Sequence, residues 1–242
     1  MLYLTFSYQQ SFRHFLDIEL KFIAKKNHEL IVQLPSWRPG RYELADFSQN
    51  IQKFDVVDGD GNKLDFHKTT KDRWSINTNW DDGDSQTKEI KIQYNYYANK
   101  LDAGSTYLDD KQLYINPVNC MLYNSKDLDL EYEIEFELPS DYKIHSSLQK
   151  IENNTLKALN FDQLADSPII ASNSVQQRTL TINNVNFSFC FQGEVKVNWE
   201  KMIKDFTSFI IYQINLFGSF PHKSFLFLFQ ITPYSSYHGV EH

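Results

Sequence analysis

From residue 2 to about 170 apolar side chains recur at every second position, and a period of two is the signature of a pleated strand with one dry face. The clearest run is Leu130 to Leu138, where Leu130, Tyr132, Ile134, Phe136 and Leu138 interleave with Glu131, Glu133, Glu135 and Glu137. Leu2, Leu4, Phe6 and Tyr8 obey the same rule, as do Leu16, Ile18, Leu20 and Phe22, then Leu30, Val32 and Leu34, and later Ile90, Ile92, Tyr94 and Tyr96. Trp74 and Ile76 mark a shorter strand. One wet face and one dry face predict antiparallel sheet over this whole stretch. Asp58-Gly59-Asp60-Gly61 supplies turn chemistry for a hairpin between Phe54-Asp55-Val56 and Leu64-Asp65-Phe66. The four glutamates of the 130–138 run lie about 7 Å apart along an extended strand, so they form a solvated line and cannot converge on one metal ion. Asp109-Asp110 and Asp81-Asp82-Gly83-Asp84 read as turns.

Around residue 170 the texture changes. Asp166-Ser167-Pro168 and Ala171-Ser172-Asn173-Ser174 mark a boundary, dividing the chain into a unit of residues 1–172 and a second of 173–242. Leu180 and Ile182, then Asn183-Asn184, then Val185, Phe187, Phe189 and Phe191 read as a hairpin that Gly193 ends. The one long helix comes next. Asn198 is its N-cap, Glu200 lies in its first turn, and Gly218 sits just past its end with Pro221 beyond. Trp199, Met202, Ile203, Phe206, Ile210, Ile214 and Phe217 fall at helical spacing. A helix of this length is marginal alone, so that stripe is expected to pack on neighbouring strands as core rather than hold a cofactor. The run Phe225 to Gln230, between Pro221 and Pro233, reads as a strand buried on both sides.

Composition narrows the function classes. A net charge of −7 without a basic cluster argues against nucleic acid and against an anionic membrane surface. Cys120 and Cys190 are the only cysteines and form no C-x-x-C, which reads as two buried free thiols. Met1 to Phe6 has no basic leader and goes straight into a strand pattern, and the apolar region 206–231 is interrupted by Gln213, Asn215, Gly218, Pro221, His222 and Lys223. A cytoplasmic protein is the expectation.

Three segments, in order, resemble the glycyl aminopeptidase family of zinc metallopeptidases. Leu34-Pro35-Ser36-Trp37-Arg38-Pro39-Gly40-Arg41-Tyr42, running on through Asp46-Phe47 to Asn50-Ile51, is similar to that family's P-x-W-x-P-G-x-Y signature and its D/R-F-x-x-x-I/V continuation. Ala165-Asp166-Ser167-Pro168-Ile169 is like the D-S-P-I/L that closes the family's N-terminal domain. Phe217-Gly218-x-x-Pro221, a strand, and Gly239-Val240-Glu241-His242 are like the G-G-x-E-H run. The resemblance spans roughly residues 1–242 and implies an antiparallel β-sandwich N-terminal domain, residues 1–172. Residues 173–242 would be the partial α+β start of a thermolysin-like catalytic domain with its one long helix. It implies that Glu241 takes the α-ammonium of a peptide N-terminus, with Gly239 permitting close approach of the substrate backbone. The first glycine of the G-G-x-E-H run is His238 here.

The H-E-x-x-H zinc helix of that family is not in these residues. The seven histidines, 14, 28, 67, 145, 222, 238 and 242, open no such motif. Without two histidines at i and i+4 and a third ligand there is no zinc and no activated water, so the expectation is an inactive N-terminal portion of a zinc peptidase. Such a portion would leave part of its apolar surface uncovered, a route to self-association. His238-Gly239-Val240-Glu241-His242 matches the inverted order H-x-x-E-H. That order works on a helix, and Pro233, two serines and Gly239 oppose one. At Pro39-Gly40 the first reading is a turn with Trp37 and Tyr42 packed beneath it. A carbohydrate- or protein-binding β-sandwich without catalytic role is the alternative reading; the inward alternation of the aromatics and the helix with its Glu241 turn speak against it.

Overall fold

A computed structural model describes residues 1–38, 43–80, 85–232, 234 and 239–240. In chain order the strands are β1 (Leu2–Ser7), β2 (Phe15–Lys25), β3 (Leu30–Gln33), β4 (Ile51–Asp58), β5 (Phe66–Thr70), β6 (Arg73–Ile76), β7 (Thr87–Tyr97), β8 (Tyr107–Leu108) and β9 (Leu113–Ile115). They continue as β10 (Tyr132–Phe136), β11 (Lys143–Ser146), β12 (Gln149–Glu152), β13 (Thr155–Ala158), β14 (Ile169–Ser172), β15 (Gln176–Ile182), β16 (Val185–Gln192) and β17 (Ser224–Gln230). The α-helices are α1 (Pro117–Cys120), α2 (Phe161–Ala165) and α3 (Trp199–Phe217). The fold is mainly β with one long helix.

A seven-stranded sheet in the order β12-β13-β10-β1-β2-β7-β4 forms one layer. A four-stranded sheet, β11-β14-β9-β8, and a three-stranded sheet, β3-β6-β5, face it. Leu4, Ile18, Ile92 and Ile134 from the large sheet share one apolar cluster with Val32, Trp74, Leu113 and Ile169 from the smaller two. The alternation predicted for β1, β2 and β7 is met: Leu4, Phe6, Leu16, Ile18, Leu20, Ile90 and Ile92 are all buried. Their spine is the β2–β7 ladder, in register from Phe15↔Tyr97 to Lys25↔Thr87.

Two strand expectations need correction. β10 does alternate, but it pairs parallel with β1, Leu2↔Tyr132 to Phe6↔Phe136, and antiparallel only with β13. Alternation reports which faces are wet and is silent on strand direction. The hairpin at Asp58 is also shorter than expected. It is held by a Val57↔Lys63 bridge and the Leu64 N–H donating to the Val56 carbonyl, after which β5 leaves to join β6 in the other layer. The turn itself is organised by the Asp58 side chain. Its carboxylate accepts from the Asp60 N–H (3.0 Å), the Asn62 N–H (2.8 Å), Asn62 Nδ2 (3.1 Å) and Lys88 Nζ (2.8 Å).

Beyond β14 a second apolar cluster gathers Ile182, Val185, Phe187, Phe189, Ile210 and Ile214. Asn183 and Asn184, both with positive φ (50° and 63°), make the tight turn of the β15–β16 hairpin. The Asn198 side chain caps α3 by accepting from the Lys201 N–H at 3.1 Å. Met202, Ile203, Phe206, Ile210 and Ile214 press on this sheet, with the Phe206 ring edge-on to Phe189 at 4.9 Å. Phe217, the last residue of the helix, does not join them and is exposed. A second stripe, Phe209, Tyr212 and Leu216, lies on the outward side of α3 and is exposed. β17 pairs parallel with β16, Asn186↔Ser224 to Gln192↔Gln230, as the edge of the three-stranded sheet. It is half-buried rather than buried on both sides, since among the described residues nothing pairs with its outer edge. Among the described residues no helix is long and apolar enough to cross a membrane.

The hydrogen bond from Lys88, aided by those from Asn62, holds the Asp58 carboxyl down at about 2, below its ordinary 3.8. A depressed folded value adds stability that is complete above the unfolded value and is lost as pH falls through the folded one. Urea unfolding between pH 5 and pH 2 is therefore expected to show a loss of stability between about pH 4 and 2 that is smaller in Asp58→Asn. An unchanged pH dependence in the variant would mean the turn does not act through this carboxylate.

Candidate functional site

The described part of the 37–44 segment begins with an exposed Trp37 (52 % exposed) and a buried Arg38 (6 %). The expectation that Trp37 packs beneath a turn is therefore corrected: the residue driven inward is its neighbour. Pro39, Gly40, Arg41 and Tyr42, which complete the expected turn, lie outside the described residues. The segment is tied down from both sides: the Ser36 hydroxyl bonds the Asp72 carboxylate, and the Ala45 N–H donates to the Ser36 carbonyl at 2.8 Å.

Arg38 ends against the 102–106 loop. A methyl group at Gly104 would overlap the Arg38 guanidinium, so the loop passes this close only because residue 104 lacks a side chain. The loop is fixed by the Gly104 N–H donating to Asp102 Oδ1 (2.9 Å), Asn119 Nδ2 donating to the Gly104 carbonyl (2.9 Å) and the Tyr114 hydroxyl donating to the Ala103 carbonyl (2.7 Å). Burial raises the Tyr114 hydroxyl above its ordinary value, with Asp102 adding to the rise and the Arg38 charge opposing it. Beneath the loop, Gln112 to Leu122 is buried at every position. Asn116 heads α1 with its side chain making no cap bond, while its backbone N–H donates to Thr106 Oγ1 at 3.2 Å. Both Asn116 side-chain polar atoms, and Asn119 Oδ1, are buried without a hydrogen-bond partner.

The C-terminal segment reaches the same loop from its other end. The Tyr234 hydroxyl donates to the Leu101 carbonyl at 2.9 Å. The course of the chain into that contact is set by Gly193, with φ 114°, where an added Cβ would lie 2.6 Å from the Ile231 carbonyl oxygen. Of the two residues predicted to bind substrate, Gly239 is exposed with open space around it, and Glu241 lies outside the described residues. The H-x-x-E-H reading of His238, Glu241 and His242 also lies outside them. No group of three or more His, Cys, Asp or Glu among the described residues is arranged to hold a metal ion, so the described residues do not fit zinc.

A third contact at the seam places Cys190 Sγ 3.5 Å from His145 Nδ1. Burial raises the Cys190 thiol to about 11 and, with Lys150 and Lys143 nearby, lowers the His145 imidazole. A protonated thiol beside a neutral imidazole is a packing contact and not a nucleophilic dyad. Cys120 and Cys190 are both buried free thiols, as their spacing suggested.

The chain is thus a β-sandwich leading into a hairpin, a long helix and a parallel edge strand. Residues 4–173 match the Peptidase M61 N-terminal domain, and the chain belongs to the M61 peptidase family. Among solved structures, an aminopeptidase N family protein from Idiomarina loihiensis superposes with a TM-score of 0.85 at 22% identity, over 96% of this chain and 39% of that one. An M1 zinc metallopeptidase from Deinococcus radiodurans superposes with a TM-score of 0.50 at 10% identity, over 98% of this chain and 56% of that one. The chain thus spans about two fifths and somewhat over half the length of those two proteins. No curated protein sequence matches it.

The Gly193 contact is the most direct test of how the C-terminal segment is aimed. Gly193→Ala is expected to destabilise by more than about 1 kcal/mol, because alanine resists a positive φ and meets the Ile231 carbonyl. Thermal unfolding with no shift would show that the segment can move away at no cost.

Proposed function

We propose that this chain is the N-terminal portion of a zinc-dependent aminopeptidase. Residues 1–172 are its β-sandwich and residues 173–242 the beginning of its catalytic domain. The zinc ligands are not among these 242 residues, so the chain alone does not hydrolyse peptides. The observation that carries the reading is the superposition on the Idiomarina protein over nearly the whole chain, together with the family match over 4–173. The division near 172 is supported by the separate apolar clusters on either side of it. Within this reading Glu241 binds the α-ammonium of a peptide and Gly239 leaves room for the substrate backbone. Its support is the Tyr234–Leu101 contact, which brings the segment leading to Glu241 against the start of the loop that carries Gly104. A cytoplasmic location belongs to the same proposal and accords with two unpaired buried thiols.

Binding of triglycine and of N-acetyl-triglycine to the chain, measured by NMR titration, tests the Glu241 role. Triglycine is expected to bind and the acetylated peptide not. Glu241→Gln should weaken triglycine binding about tenfold or more, the loss of one charge-assisted hydrogen bond. Equal binding of the two peptides would remove Glu241 from the reading. Added zinc should produce no release of p-nitroaniline from glycine p-nitroanilide. Release that requires zinc would overturn the placement of the metal ligands elsewhere.

The outward stripe of α3, Phe209, Tyr212 and Leu216, is expected to make the isolated chain self-associate and bind a hydrophobic dye. A clean monomer by light scattering, with no dye binding, would count against an uncovered surface.

A further inference from the structure

Edge strands invite pairing with another chain, and proteins blunt them with charges, bulges or proline. Three edge strands of this fold are blunted in that way. β4, β5 and β12 each slip register against a neighbouring strand, and they carry Lys53 and Asp55, Lys68, and Lys150 and Glu152 respectively. β17 has none of these devices. It is seven residues long, uncharged and without proline, and it keeps unbroken register with β16 from Asn186↔Ser224 to Gln192↔Gln230. The Asn186 N–H donates to the Lys223 carbonyl and the Ile231 N–H to the Gln192 carbonyl, so the odd-numbered residues turn their backbone groups toward β16. The even-numbered ones, Ser224, Leu226, Leu228 and Gln230, therefore turn both N–H and C=O to the open edge. The Gln230 side chain adds to what is unmet there, because its Oε1 and Nε2 are both buried without a hydrogen-bond partner.

We propose that β17 pairs antiparallel with β17 of a second copy of this chain, about a two-fold axis at Phe227, joining two three-stranded sheets into one of six strands. The strand reads Ser-Phe-Leu-Phe-Leu-Phe-Gln, nearly alike in both directions. That suits an isologous contact, in which each residue meets the one equally far beyond the axis. Phe225 then faces Phe229, Leu226 faces Leu228, Phe227 faces its own copy, and the polar ends Ser224 and Gln230 face each other. This register makes Leu226–Leu228 and Ser224–Gln230 the hydrogen-bonded pairs, so every outward N–H and C=O of the four even-numbered residues is met. Moving the axis to Leu226 or to Leu228 would leave Gln230 or Ser224 without a partner in the strand. The exposed Ser224 hydroxyl, a donor and an acceptor, lies across from the unpartnered Gln230 amide. No charge is brought against its own copy, because the paired residues carry none. Phe227 and Phe229 are only part-covered by α3, and Phe225 is exposed beside Phe227, so the second copy extends one row of rings with another. An edge about 23 Å long with these rings reaches the lower end of specific interfaces, about 1,200 Å² in total, so the dimer is concentration-dependent. The contact draws on β17 alone and not on Glu241 or the peptidase reading.

Sedimentation equilibrium of the 242-residue chain from about 1 to 200 μM is expected to show a reversible monomer–dimer equilibrium without larger species, since a two-fold pairing uses up the edge. Leu228→Pro removes one outward N–H while leaving the β16 ladder intact, and should weaken dimerisation at least tenfold. Tyr212→Ser, on the exposed stripe of α3, should leave dimerisation unchanged, which separates this contact from association through the helix. Phe227→Cys reports the register. It faces its own copy in a non-hydrogen-bonded pair with Cα atoms about 4.5 Å apart, and should form an intermolecular disulfide under mild oxidation. Phe225→Cys, whose copy lies four residues further along, should not. If Leu228→Pro fails to fold, the contrast between Phe227→Cys and Phe225→Cys decides. The proposal is overturned by a monomer at every concentration, or by open-ended polymers. It is equally overturned by a dimer that Tyr212→Ser abolishes and Leu228→Pro does not, or by Phe225→Cys cross-linking as readily as Phe227→Cys.

Discussion

The eleven-pair ladder between β2 and β7 is the constraint on which the remaining architecture hangs. Because side chains alternate strictly along a strand, fixing this one register decides which face of β1, β4 and β10 is dry. It thereby decides where the two smaller sheets must close the core. The same ladder ends at Tyr97, and Ala98 continues it by donating to the His14 carbonyl and accepting from the Leu108 N–H. The loop that carries Leu101, Asp102 and Gly104 thus springs from the end of this ladder. A binding surface on such a loop inherits the positional precision of the sheet.

Much of this was legible from residue order alone, and the limits have physical causes. The strands of the large sheet, the Asn183-Asn184 turn and the capped helix α3 are all specified locally, by alternation, by asparagine's tolerance of positive φ and by a side chain that satisfies an end N–H. Strand direction is not local. The parallel partnership of β1 with β10 depends on a crossover through the intervening chain, which no window of alternation contains. β17 misled for the opposite reason. Its apolar run resembles a doubly buried strand, whereas its outer edge has no partner among the described residues.

The site was legible only in outline. In the Trp37–Tyr42 motif the aromatics and the turn stand out in the sequence, whereas among its described residues the one driven inward is Arg38. An arginine in a loop ordinarily reads as solvated. The buried stretch from Gln112 to Leu122 held the missed signal: Asn116 and Asn119 sit among Leu113, Ile115, Val118 and Cys120, and amides in so apolar a setting need a stated use. That Gly104 would matter could not be seen at all without the guanidinium beside it.

The pairing of Leu2 with Tyr132 has a bearing on how the protein is made. β1 can zip onto β2 within seconds of emerging from the ribosome, but its other edge stays open until some 130 further residues exist. At about 5–20 residues per second, that is roughly 7 to 26 seconds. During that interval Leu2, Leu4 and Phe6 present a bare, hydrophobic strand edge to solvent. The nascent chain is therefore expected to depend on early shelter by chaperones, and slow codons upstream of position 132 would prolong the hazard rather than relieve it.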